Sequence, residues 1–209
     1  MTFLSVTATA LLFVWSLLKD WLYIFISPIA KLEILWIIAP IWLSWFFAEF
    51  FQEKKGTSFG NAISNGIVPF FVGLDWARFI TNEIIDGTAK FNSVVFIKYA
   101  LCLAVVAYGV SIIILGIKAK KFVQVYGRVR ETTYALLVLS PVVYGIIDIS
   151  WKFLFIVILF FPVFYYLIEL IDRILPDPRI YEFDKSGSSK DDGYKTIESA
   201  EQFDKKFKF

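Results

Sequence analysis

Histidine is missing from all 209 residues. That removes imidazole ligation of haem, most zinc and di-iron sites, and every mechanism built on a histidine base. A single cysteine, Cys102, excludes an intrachain disulfide. Charge is sparse: Asp, Glu, Lys and Arg make up 19% of the chain, against about 25% in soluble domains. The net charge of +2 is too small to mark a nucleic-acid binder. No Gly-rich phosphate loop, HExxH or CxxC occurs. No metal set and no cofactor is expected.

What is present is apolar. Hydrophobic residues account for 58% of the chain and aromatics for 19%, with a mean hydropathy of +0.66. A bilayer core of about 30 Å takes about 20 helical residues to cross. The expected fold is therefore all-α, a polytopic integral membrane protein of about six transmembrane helices. The spans read as 3–18, 34–51, 60–80, 94–117, 133–148 and 152–172. The N-terminal run lacks a positive region and a cleavage site, so it reads as the first helix and not as a leader.

Residues 1–173 form the expected bundle and 174–209 a polar tail. Within the tail, "SGSSKDDG" reads as linker. In "YKTIESAEQFDKKFKF", Ile197, Ala200 and Phe203 fall on one helical side, and a disordered tail is the alternative. Lys54 and Lys55, and the run Lys118, Lys120, Lys121, Arg128, Arg130, assign loops 52–59 and 118–132 to the cytoplasm. Lys19 and Lys31 run against that assignment. With an even number of spans both termini lie inside. The expected setting is a prokaryotic plasma membrane, and the Phe, Ile and Lys usage fits an AT-rich genome.

One span is unlike a plain anchor. "SNGIVPFFVGLDWARF" at 64–79 sets polar and small residues within an apolar run. Asn61, Asn65, Pro69 and Gly73 recur every four residues, with Ser64 beside them, which makes one narrow stripe on a helix. Lipid cannot satisfy an amide, so the stripe must face protein or water. It reads either as the lining of a path or as close helix packing.

A second segment is similar. "PFFVGLDW" holds Pro69, Gly73, Asp75 and Trp76; "PVVYGIIDISW" holds Pro141, Gly145, Asp148 and Trp151. The Pro and Gly residues are hinge candidates, and parallel hairpin repeats are one explanation; chance similarity is the other. Asp20, Asp75 and Asp148 all fall at the outer ends of outward-running spans. They read as a ring around an outer mouth or as interfacial carboxylates beside anchoring Trp residues. Lys120, Lys121, Arg128 and Arg130 are candidates for lipid headgroups.

Enzyme motifs do not complete themselves. "DGTAKFNS" at 86–93 opens like the Asp-Gly-x-x-Ala-Arg motif of CDP-alcohol phosphotransferases, but Lys90 stands where Arg belongs and the downstream Gly and Asp residues are missing. Asp75 and Asp148 lack the signatures of intramembrane aspartyl proteases. The expected protein is not an enzyme. It is a small channel or transporter whose path is lined by Asn61, Ser64, Asn65 and Tyr144 on Pro-kinked helices, passing an ion or small polar solute. The alternatives are a non-catalytic subunit of a larger membrane assembly and a lipid-modifying enzyme of unfamiliar type. Its partners are the bilayer and either further copies of itself or a membrane complex.

Overall fold

The computed structural model describes residues 3–52 and 57–175. Compact units divide at Asp172 and Arg173. The tail helix expected around Ile197, Ala200 and Phe203, and the loop lysines Lys54 and Lys55, lie outside the described residues.

Every regular element among the described residues is helical. They are α1 (Phe3–Ile26), α2 (Leu32–Phe47), α3 (Phe59–Ile85), α4 (Ser93–Ile117), the short α5 (Val123–Tyr126), α6 (Val129–Val143) and α7 (Trp151–Ile174). A 3₁₀ turn over Ser27–Ala30 joins α1 to α2, with Pro28 early in it, where its missing N–H costs nothing. Beyond α2 the chain widens into one π turn, Ala48–Gln52.

Four stretches are long and apolar enough to cross a membrane: Thr7–Ala30, Leu32–Phe51, Ser93–Ile117 and Trp151–Ile174. They fit a multi-pass membrane protein. The expectation was six, and α3 and α6 make the difference. α3 has the length but carries Asn61, Asn65, Asp75 and Arg78. α6 has 15 residues, a rise of about 22 Å at 1.5 Å per residue, and opens with Arg130 and Glu131. Eleven of those residues are buried. A helix wrapped by protein needs no apolar face toward lipid, so its sequence carries a weak hydropathy signal.

Local chemistry sets the boundaries. Ser58 caps α3 by accepting the Asn61 N–H at 3.1 Å, and Asn92 caps α4 by accepting that of Val95 at 3.0 Å. α6 stops at Gly145, whose φ of 66° is left-handed. The Gly145 N–H donates to the Val142 carbonyl and the Ile146 N–H to that of Pro141, the paired bonds of a glycine-terminated helix.

α3 and α4 form the tightest hairpin, and glycine is the cause. Gly66 and Gly73 lie seven residues apart on α3; Cys102, Gly109 and Gly116 lie seven apart on α4. A Cβ on Gly109 would sit 2.6 Å from the Gly66 carbonyl oxygen, and one on Gly73 would sit 2.7 Å from Val106. Backbones approach there as only small residues allow. Around α6 the core is aromatic. The Tyr134 hydroxyl accepts from Trp21 Nε1 at 3.1 Å and donates to the Val157 carbonyl at 2.7 Å. Phe25 and Phe164 stack beside it.

The two lookalike segments take different conformations. α3 runs unbroken through Pro69, Gly73 and Asp75 to Ile85, whereas α6 ends before Gly145. Trp76 is fully buried and Trp151 is exposed.

Candidate functional site

Polar side chains gather in two layers, one at each end of the helices. The first is where the α1–α2, α3–α4 and α6–α7 connections meet. Tyr144, one residue past α6, is 1% exposed. Its hydroxyl donates to Asp75 Oδ2 at 2.5 Å. The other carboxylate oxygen accepts from Arg78, Nε at 3.0 Å and Nη2 at 2.6 Å. Lys31 Nζ reaches over from the α1–α2 turn and donates to the Tyr144 carbonyl at 3.1 Å. The helix ends at Gly145, which leaves this carbonyl accessible to a side-chain donor.

Beside this network lies a cavity of about 500 Å³. Its walls include Lys31, Glu33 and Trp36 from the start of α2, Arg78 and Phe79 from α3, and Tyr144. Glu83, in the last turn of α3, and Asp86, just past its end, also line it. The Phe79 ring stacks on Tyr144 with centroids 4.2 Å apart. The turn after α3 is pinned by Thr88 Oγ1 and the Ala89 N–H, both donating to the Glu83 carbonyl at 2.9 Å. A second hollow of about 240 Å³ holds Asp20, Asp148, Ser150 and Lys152. There Lys152 pairs with Asp20 at 2.6 Å.

The opposite end is tied by Arg130. Its Nε donates to Glu49 Oε1 at 2.5 Å and its Nη1 to Glu169 Oε2 at 3.1 Å. The guanidinium also lies 5.0 Å from the Tyr165 ring centroid. Three elements meet here: the π turn, the first turn of α6, and α7. The π turn carries three consecutive buried residues, Ala48, Glu49 and Phe50. Glu49 is 4% exposed, and a carboxylate so placed requires a bonded counter-charge. Between the two layers Ile37, Ile41, Val72, Trp76, Leu136 and Leu137 belong to one packed apolar cluster.

The expected residues fall as follows. Asn65 is buried, and its Nδ2 donates to the Gly127 carbonyl at 2.9 Å. Asn61 is half-buried and Ser64 exposed. None of the three meets Tyr144, which belongs to the other end of the chain's helices. The stripe of the sequence is thus resolved into a tie to the α5–α6 turn and a glycine seam. The acids do not share one mouth: Asp75 joins Arg78 and Tyr144, while Asp20 and Asp148 line the smaller hollow. Of the headgroup candidates, Lys120, Lys121 and Arg128 are exposed, and Arg130 is committed to its two carboxylates. Among the hinge candidates, Pro69 and Gly73 lie within α3, Pro141 within α6, and Gly145 is a helix stop.

Sequence reading missed the Glu49–Arg130–Glu169 triad. Its members are separated by 81 and 39 positions, and pairing over such distances leaves no local trace. The glycine seam was available, in the seven-residue spacing of 66, 73 and 102, 109, 116. Among the described residues no group of three or more acidic or cysteine side chains is placed to hold a metal ion.

No protein-family model, curated protein or solved structure matches this chain.

Proposed function

We propose that the protein is a small multi-pass transporter that takes a small charged or polar solute from the outer face of a membrane. In this reading all six long helices cross the bilayer, with α6 as the protein-wrapped centre, and the connection rich in Lys118, Lys120 and Lys121 is cytoplasmic. The cavity at the Lys31–Tyr144 end is then outward-facing.

One observation carries the reading. A cavity of about 500 Å³ lined by charged and aromatic side chains opens at one end, while the other end is tied by the triad on Arg130. A path open on one side and tied on the other is the arrangement that alternating access requires. Tyr144 and Asp75 sit between cavity and core, at the point where α6 ends. Moving α6 would alter both layers together, because Arg130 lies in its first turn and Tyr144 follows its last residue.

A second reading has its own support. Asn65 is buried against Gly127, and Gly73 of the same stripe lies against Val106 of α4. A non-catalytic subunit of a larger membrane assembly would be built that way. Reconstitution separates the two. Purified protein in liposomes, offered a panel of labelled amines, amino acids and inorganic ions, is expected to accumulate at least one of them. That uptake is expected to fall at least tenfold in Asp75→Asn. A panel passed without any uptake over empty liposomes contradicts the transporter and favours the subunit.

A further inference from the structure

The geometry points to an organic ammonium ion as the occupant of the larger cavity, a site of cation–π and carboxylate contacts formed by Trp36, Phe79, Glu33, Glu83 and Asp86. It rests on the reading of that cavity as the place where the solute enters.

The charges in the wall are unequal in availability. Two are positive, and both are committed. Arg78 gives two hydrogen bonds to Asp75, and Lys31 gives one to the Tyr144 carbonyl. Three are negative, Glu33, Glu83 and Asp86, and none is ion-paired among the described residues. Three carboxylates line the hollow against two cations, and one of those cations, Arg78, is paired with Asp75, so the field within it favours a cation.

The rest of the wall says which kind. A bare metal ion needs oxygens converging at one point, and the described residues offer no such group. The cavity instead presents two aromatic rings, Trp36 and Phe79, with Tyr144 packed behind the second. Phe79 and Tyr144 are stacked against one another, and Trp36 stands 75% exposed at the start of α2. Membrane interfaces attract single tryptophans, but anchoring does not account for Trp36 and Phe79 sharing a hollow with unpaired carboxylates. Ring faces attract alkylammonium cations, whose charge is spread over apolar carbon and whose dehydration is easy. A volume of about 500 Å³ lies within the about 300–1,000 Å³ of ordinary small-molecule sites.

The test is equilibrium binding to the full chain in dodecyl maltoside, free of choline lipids. The probe is radiolabelled tetramethylammonium, with unlabelled choline and unlabelled succinate as competitors. Saturable binding displaced by choline and untouched by succinate is expected. Trp36→Ala and Glu33→Gln are each expected to weaken it by about threefold to thirtyfold. Both residues are exposed, so neither change threatens folding. Absence of saturable binding, displacement by succinate, or unchanged affinity in both variants would overturn the assignment. Binding without uptake in liposomes would uphold the ammonium site and refute the transporter. Uptake of some other solute without ammonium binding would do the reverse.

Discussion

Tyr144 donates its hydroxyl proton to Asp75 at 2.5 Å, joining the end of α6 to the later half of α3 across 69 positions of sequence. The same carboxylate holds Arg78 with its other oxygen. A half-buried acceptor shared by two donors makes the pair energetically coupled.

Tyr144→Phe removes one donor and leaves Asp75 paired with Arg78, so it is expected to cost about 1 kcal/mol. Asp75→Asn disturbs both bonds and should cost more, about 1–3 kcal/mol. Thermal unfolding of the two single variants and the double variant should give a coupling energy of about 0.5–3 kcal/mol. Additive losses would show that the contact carries no energy.

At the other end the order of effects follows exposure. Replacing Arg130 by Gln leaves Glu49 buried beside a neutral amide, and breaking a buried pair in this way costs about 3–5 kcal/mol. Glu169 is 38% exposed in its side chain, so Glu169→Gln should cost under about 1 kcal/mol. Arg130→Lys keeps the charge but not the planar fork that reaches two carboxylates, and should recover only part of the loss. Melting curves in detergent read all three. A loss at Glu169 as large as that at Arg130 would contradict the order.

The glycine seam makes a sharper contrast. Gly109→Ala places a methyl group 2.6 Å from the Gly66 carbonyl, and overpacking of this kind costs about 1–3 kcal/mol. Gly60 is the control: a Cβ there meets only Ser58 Oγ, at 3.9 Å. Gly60→Ala should be neutral or slightly stabilising, because alanine is the better helix former. Stability and the monodispersity of the purified protein would both report the difference.

Thiol labelling tests the placement of the stripe. In a Cys102→Ala background, Asn82→Cys on the cavity wall should react with a membrane-impermeant maleimide. Asn65→Cys, buried at 4% exposure, should not. Rapid labelling at 65 would mean that water reaches the α3 stripe.

The helical membrane class was written in composition, and the α3–α4 hairpin was legible almost to the residue: spans read at 60–80 and 94–117 correspond to helices at 59–85 and 93–117. α6 was read at 133–148 and lies at 129–143. Arg130 and Glu131 looked like loop because charge usually marks water, and here Arg130 is drawn into the protein by Glu49 and Glu169. α1 was read at 3–18, with the stretch from Trp21 either extending it or lying at the interface, and it continues to Ile26, with Asp20 paired to Lys152 from α7. In each case a distant partner of opposite charge overrode the local signal. The candidate site divides the same way. Asp75 and Tyr144 stood out singly as polar residues in apolar runs, but their bond, and the cavity beside it, arise from where α6 stops.

The most direct test of the proposed alternating path is sided labelling of one cysteine in the cavity wall. Phe79→Cys would be placed in the Cys102→Ala background and treated with an impermeant maleimide in right-side-out and inverted vesicles. The account predicts labelling from the outer side alone, and additional labelling from the inner side once Glu169→Gln loosens the hold on Arg130. Equal labelling from both sides at the outset, or no inner labelling in the Glu169 variant, would contradict it.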